Sequence, residues 1–144
     1  MNIKLRNATE ADLENILSIV NHAILQTTSN YNYEIQTLEI QTKWFHDKKS
    51  MNWPIIVADL DGEAIGYGTY GMFREKIGYQ YTVEHSVYVD EKYVGKGIGG
   101  LLIEELIKLA KAQGLHVMMG AIDAENKGSI AFHEKYGFKV CGNI

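Results

Sequence analysis

Apolar and polar positions alternate along Ile3 to Arg6, a short strand. Thr9, followed three residues on by Asp12, opens a helix with a near capping box. Leu13, Ile16, Leu17, Val20 and Ile24 then recur at helical spacing and give that helix one apolar face. Gln26 to Gln36 has no clear period and is expected to be a loop. A second helix is expected over Leu38 to Lys48, with Trp44 and Phe45 facing the core. Pro54 starts a strand, which continues through Ile55 to Leu60. Asp61-Gly62 marks a tight hairpin, and Ile65 to Tyr70 returns as its partner. A connection over Met72 to Gly78 leads to a strand over Tyr79 to Val89. From about Ile98, Leu102, Leu106, Leu109 and Ala110 share one side of a helix whose other side pairs Glu104 with Lys108. Gly114 ends it. A strand over His116 to Ile122, a helix over Asn126 to Tyr136 and a strand start over Phe138 to Cys141 close the chain. The order β-α-α-β-β-β-α-β-α-β predicts one α/β (α+β) domain over residues 1–144, a mixed, mainly antiparallel sheet flanked by helices.

Composition narrows the function classes. The 144 residues suffice for one domain with a sizeable core, and 46% hydrophobic with 22% charged residues describe an ordinary globule. Net charge is −4 and no basic tract occurs, which argues against a nucleic-acid partner. The N-terminus has no long apolar run, so neither a signal peptide of the usual form nor a membrane partner is expected. The single cysteine, Cys141, reads as a small buried hydrophobe and fits a reducing cytoplasm. The five histidines are not spaced as metal-ligand pairs, so no metal is expected.

The most informative stretch is Tyr81 to Glu105, YTVEHSVYVDEKYVGKGIGGLLIEE. A strand runs into a loop with glycines at 95, 97, 99 and 100, and the loop into a helix. The first N–H groups of a helix lack internal partners and sit at the positive end of its dipole. Glycines admit a phosphate close to those groups, and Lys96 adds a positive charge. The stretch therefore reads as a pyrophosphate cradle. Gly95, Gly97 and Gly100 also match the dinucleotide pattern G-x-G-x-x-G, with Asp123 as the ribose acid. Against that reading, only 44 residues follow Gly100, too few for further βα units, and the preceding segments read as hairpins. A plain exposed turn before a helix is the remaining alternative. The Walker pattern is absent.

G-K-G-I-G-G before an amphipathic helix resembles the acyl-CoA pyrophosphate loop of the GNAT N-acetyltransferases. That motif runs Gln or Arg, two residues, Gly, one residue, Gly or Ala. Gly97 and Gly99 take its glycine positions, and Val94 stands where Gln or Arg is usual. TVEHSVYV and the later AIDAENKGSIAFHEKYGF resemble one branch, the phosphinothricin and methionine sulfoximine acetyltransferases. The resemblance covers nearly the whole chain. It implies acetyl-CoA as co-substrate, a small amino-acid-like amine as acceptor, and a homodimer with the acceptor site near the interface. It also implies a final strand that this sequence does not contain. A non-catalytic acyl-CoA-binding module is the rival reading, favoured by Val94 and the short C-terminus.

Acetyl transfer to an amine needs a base, a polarised carbonyl and a proton for the leaving thiolate. Glu84 is the candidate base. Gln80, Thr82, Glu84, Ser86 and Tyr88 share one polar face of the strand, while Val83, Val87 and Val89 alternate inward. A partly buried mid-strand carboxylate is expected to have a raised pKa. The competing reading is a solvent-facing sheet residue. His85 falls on the opposite face and reads first as a core histidine. The resemblance gives Glu84 the same role. It places His133 near the coenzyme sulfur as proton donor, against the alternative of a helix-surface histidine. It assigns main-chain groups of Val87 and Val89 to the carbonyl and the pantetheine arm, and Gly95, Lys96, Gly97, Gly99 and Gly100 to the pyrophosphate. Asn126 and Ser129 fall at its coenzyme-contacting positions, although Asn126 also suits a helix N-cap. On the acceptor side stand Thr82, which shares Glu84's face, Arg74 as partner of a carboxylate, and Tyr31 as a pocket wall beside Tyr33. The branch commonly carries arginine at the position of Gln80, and here the chain departs from it.

Overall fold

The computed structural model describes residues 2–26, 37–72, 82–120 and 127–139, with 23–26, 82 and 127–130 described in their backbone alone. Its elements are β1 (Ile3–Asn7), α1 (Leu13–Gln26), α2 (Leu38–Ser50), β2 (Ile55–Leu60), β3 (Glu63–Met72), β4 (Thr82–Val89), α3 (Ile98–Ala112), β5 (Val117–Met119) and α4 (Lys127–Lys135). They form one five-stranded sheet in the order β1-β2-β3-β4-β5. The first four strands are antiparallel in sequence, and β5 lies parallel to β4. This is the expected mixed sheet, and one parallel pairing among the described residues is not the doubly wound sheet that a dinucleotide fold requires.

The hairpin between β2 and β3 forms where Asp61-Gly62 predicts it. Both residues take positive φ, 53° and 91°, the backbone that a two-residue turn of this hand needs. Ala58 faces Gly66 and Asp59 faces Ala64, so Ile65 is an extra residue on β3, a bulge. Its carbonyl accepts the Asp90 N–H at 2.8 Å and pins the exit of β4.

Both faces of the sheet are covered. One carries Leu13, Ile16, Ile19 and Val20 of α1 with Phe45 of α2, packed on Val57 and Tyr67. The other carries Ile98, Leu102 and Leu106 of α3 against Ile56, Tyr70 and Val83. Gly66 and Gly68 let α3 approach, because a Cβ at Gly68 would lie 3.0 Å from Leu106. Tyr88 packs with the α1 side, so the even face of β4 is not a wholly polar surface as its pattern suggests. Alternation along a strand carries no information about which helices cover it.

The start of the first helix is a single 3-10 turn over Glu10–Asp12, after which α1 begins at Leu13. Asp12 explains the turn. Its carboxylate accepts the Thr9 N–H at 2.8 Å and both ends of the Arg6 guanidinium, at 2.8 and 2.9 Å. Arg6 Nε reaches Asp59 on β2 at 2.7 Å. One arginine thus ties β1, β2 and the start of α1. The Arg6 contact, followed by the Thr9 N–H, holds the Asp12 carboxyl below its ordinary 3.8 against the opposing effect of burial. Arg6→Met should cost about 2 kcal/mol, since it leaves Asp12 buried without its charge partner. A depressed folded pKa stabilises the native state above the unfolded value, and that contribution is lost as pH falls through the folded one. Wild-type melting temperature should therefore drop below about pH 4 more steeply than that of Arg6→Met. Parallel acid curves would remove the triad from the account.

At the C-terminal end, β5 is shorter than His116 to Ile122 predicts, and residues 121–122 lie outside those described. The strand expected from Phe138 does not start there: Phe138 and Lys139 follow a turn at Gly137 as irregular chain. Residues 140–144, with Cys141, lie outside those described. Phe138 instead packs its ring against two histidines, which fixes it to the face of the sheet rather than to an edge.

Candidate active site

The strand β4 and the loop after it build the centre of the site. Past Val89 the chain makes one 3-10 turn, Glu91–Tyr93, whose start is held by the Asp90 side chain accepting the Lys92 N–H at 3.0 Å. Val94 follows, extended and 65% exposed. Gly95 and Gly97 then take φ of +86° and +81°, a backbone that side-chain-bearing residues rarely adopt. The first intrahelical bond of α3 runs from Leu101 N–H to the Gly97 carbonyl at 3.2 Å, so the N–H groups of Ile98, Gly99 and Gly100 have no acceptor within the helix. A Cβ at Gly95 or Gly97 would meet nothing within 4 Å, and Lys96 between them is exposed. An open, N–H-lined helix start beside a lysine fits a pyrophosphate.

The other two glycines are explained differently. A Cβ at Gly99 would lie 3.3 Å from the Phe132 ring, and one at Gly100 would lie 2.9 Å from Cζ of Tyr136. Both rings belong to the α4 region, so these glycines also seat that region on the start of α3. Their backbone N–H groups remain on the cradle.

The ladder between β4 and β5 pairs Thr82 with Val117, Val83 with Met118 and Glu84 with Met119, and goes no further among the described residues. From His85 to Val89 that edge of β4 has no strand partner among the described residues. Among the described residues this leaves an opening that starts at Glu84 and leads past Val87 and Val89 to the glycine loop. An extended thioester arm can pair with main-chain groups along such an edge.

Glu84 stands at the head of this opening. It faces Gly71 on β3 and Met119 on β5. Its side chain is exposed, so the partial burial on which the sequence argument rested is not found. Its neighbour on the same face, Tyr88, is stacked on Tyr67 with centroids 5.6 Å apart. Burial first, and then the charge of Glu84, raises the Tyr88 hydroxyl above its ordinary value.

His85 points to the other face and is only 5% exposed, as a core histidine should be. It is also joined to His133. His85 Nδ1 lies 2.9 Å from the Met119 carbonyl, and its Nε2 lies 2.9 Å from His133 Nε2. A carbonyl only accepts, so His85 carries its proton on Nδ1 and presents an unprotonated Nε2. His133 must then donate its Nε2–H. Burial above all, with the His133 charge adding to it against the Met119 bond, pushes the His85 pKa down to about 4, so His85 is neutral near pH 7. Gly120 leaves room for this pair, because a Cβ there would sit 2.7 Å from His85 Cε1. Among the described residues no group of three or more His, Cys, Asp or Glu side chains could hold a metal.

The sequence profile of the acetyltransferase (GNAT) family matches residues 17–138. The chain belongs to the GNAT family. An L-methionine sulfoximine/L-methionine sulfone acetyltransferase of Pseudomonas aeruginosa is 43% identical to this GNAT enzyme over 145 residues, which cover all of the chain and 84% of the relative. A phosphinothricin N-acetyltransferase of Streptomyces viridochromogenes is 31% identical over 99% of the chain and 77% of its own length. The Salmonella typhimurium yncA structure, determined with acetyl-CoA as its cofactor, is 36% identical with a TM-score of 0.95, covering 99% of this chain and 82% of that one. The protein is an acetyl-CoA-dependent acetyltransferase, in accord with its loop and sheet.

Within this GNAT enzyme, β4 carries Glu84, Val87 and Val89, and the loop and helix start that follow it carry Gly95, Lys96, Gly97, Gly99 and Gly100. His133 on α4 contacts His85 of the same strand. Thr82 is the first residue of β4 and Ser129 lies in α4, with the backbone alone described for both. Tyr31, Arg74 and Asn126 lie outside the described residues. The His85–His133 contact spans 48 residues of sequence and has no local signal.

Proposed function

We propose that this acetyltransferase moves the acetyl group of acetyl-CoA to the α-amine of a small amino-acid-like acceptor of the methionine sulfoximine or phosphinothricin type. The observation that carries the reading is the end of the β4–β5 ladder, among the described residues, at the exposed Glu84, with the glycine-rich helix start following the same strand. Strand rise puts the end of β4 roughly 15 to 20 Å from Glu84, about the reach of a pantetheine arm. The names of the relatives support the acceptor class.

In this reading Glu84 accepts the proton of the acceptor ammonium, directly or through water. The neutral amine attacks the thioester carbonyl, which a main-chain N–H near Val87 polarises. The carbon–nitrogen bond forms, the carbon–sulfur bond breaks, the nitrogen sheds its second proton to solvent, and His133 gives the leaving thiolate a proton from Nδ1, which solvent replaces, while its Nε2–H stays on His85. Val87 and Val89 hold the arm, Gly95 to Gly100 with Lys96 the pyrophosphate, and Asn126 and Ser129 the coenzyme beside α4. Thr82 and Tyr31 line the acceptor pocket, and Arg74 pairs with the acceptor's carboxylate. The enzyme works as a single domain, as a homodimer, in the cytoplasm. Exposed Leu38 and Ile40 at the start of α2, 44% and 49% accessible, support association. No described helix is long and apolar enough to cross a membrane.

A thermal-shift series tests the coenzyme and acceptor together. Acetyl-CoA should raise the melting temperature by mass action, and methionine sulfoximine or phosphinothricin should add to it. No shift with acetyl-CoA at millimolar concentration would contradict the reading. Arg74→Ala should raise the acceptor KM about 10-fold or more while leaving acetyl-CoA affinity unchanged. If both ligands weaken together, Arg74 belongs to the coenzyme site or to the scaffold.

A further inference from the structure

Lys48, in the last turn of α2, is a half-buried cation outside the chemistry above. Its ammonium donates to the Tyr70 carbonyl at 2.8 Å. A Cβ at Gly71 would lie 2.9 Å from Nζ, so the ammonium rests directly over that glycine. Gly71 is the β3 partner of Glu84. Directly opposed residues of an antiparallel pair present their side chains to the same face, with Cβ positions about 4.5–5.5 Å apart. The ammonium therefore stands on Glu84's face of the sheet, about one strand spacing from it.

The two do not pair. None of the ion pairs among the described residues involves Lys48, Glu84 included. A cation that has lost much of its water and has one carbonyl as its partner among the described residues is costly unless an anion joins it. Burial lowers its pKa to about 8, which leaves it mostly charged at pH 7. A carboxylate and an ammonium side by side, each without the other as partner, complement a zwitterion: amine toward Glu84, carboxylate toward Lys48. The two groups of an α-amino acid sit on one carbon, at the short separation that this pair of neighbouring strands offers.

We propose that Lys48 Nζ binds the α-carboxylate of the acceptor and so selects α-amino acids over simple amines. This rests on the acetyl transfer proposed above. Lys48 is the contact borne by α2 and β3.

The test compares each α-amino acid acceptor with its decarboxylated amine, with acetyl-CoA saturating. Wild type should prefer the acid. Lys48→Met keeps the aliphatic stem and should lower kcat/KM for the acid about 10- to 100-fold, mainly through KM, leaving the amine and acetyl-CoA unchanged. Lys48→Arg should retain the preference. Gly71→Ala pushes the ammonium aside without removing it and should move the same ratio in the same direction, which decides the matter should Lys48→Met fail to fold. An equal fall for acid and amine in Lys48→Met or Gly71→Ala would assign Lys48 to the Tyr70 carbonyl alone and overturn the proposal. So would a wild type with no preference for the acid. A wild type that acetylates neither compound contradicts the acetyl-transfer reading itself.

Discussion

Glu84→Gln should lower kcat at least about 10²-fold near neutral pH with acetyl-CoA affinity nearly unchanged, since removing a general base typically costs 10²- to 10⁴-fold. The substitution keeps the shape and the hydrogen bonds of the side chain but cannot accept the amine's proton. Glu84 is exposed at the end of the β4–β5 ladder, so the change should leave the sheet intact. The loss should shrink as pH rises, because the amine then arrives deprotonated from solution. Rates measured from pH 7 to pH 10 on a variant with wild-type melting temperature check both parts. Full activity at pH 7 would remove Glu84 from the mechanism. A loss that stays constant with pH would mean that Glu84 positions the acceptor and does not take its proton.

The second large effect belongs to the cradle. Gly97→Val should weaken acetyl-CoA binding by about 2 kcal/mol or more, roughly 30-fold, the scale of a lost charge-assisted contact. A branched side chain at this position enters the open space before α3, where a Cβ now meets nothing within 4 Å. It must also adopt a left-handed backbone at φ +81°, which costs about 1–2 kcal/mol of stability by itself. Gly114→Val separates the two effects. Gly114 has φ +77° and equally open surroundings at the far end of α3. That variant should lose comparable melting temperature while keeping the wild-type dissociation constant. Gly99 is the poorer probe, because a valine there strikes Phe132 and disturbs the seat of α4 before it reaches a phosphate. Equal acetyl-CoA affinity in Gly97→Val and wild type would remove the cradle.

The residues most visible in the sequence are those whose physics is local. Asp61-Gly62 fixes its hairpin through its own backbone preferences, and the glycines at 95 and 97 announce a helix start with room for a phosphate. The apolar period of α3 states which side it buries, and Leu102 and Leu106 are fully buried as that period predicts. What depends on pairing across the chain was not visible. Alternation places Glu84 and Tyr88 on one polar face, yet Tyr88 lies under α1 while Glu84 is exposed, because the helices cover that face unevenly. The three-residue β5 is too short to show a period, and its parallel register with β4 sets where their ladder ends among the described residues. The His85–His133 bond depends on the packing of α4, and the Lys48 ammonium on the way α2 crosses β3 at Gly71. Gly99 and Gly100 were assigned by sequence to phosphate approach alone, whereas Phe132 and Tyr136 need them as well.

Acceptor-dependent release of free thiol from acetyl-CoA by the wild-type enzyme tests the whole account most directly. Methionine sulfoximine, methionine sulfone, phosphinothricin and a panel of common amino acids would be offered at pH 7.5, each beside its N-acetylated form. Thiol release should require a free α-amine, match the N-acetyl product mole for mole, and be greatest for one of the first three compounds. Release that is absent with every amine, or that proceeds equally without any acceptor, would contradict the assignment.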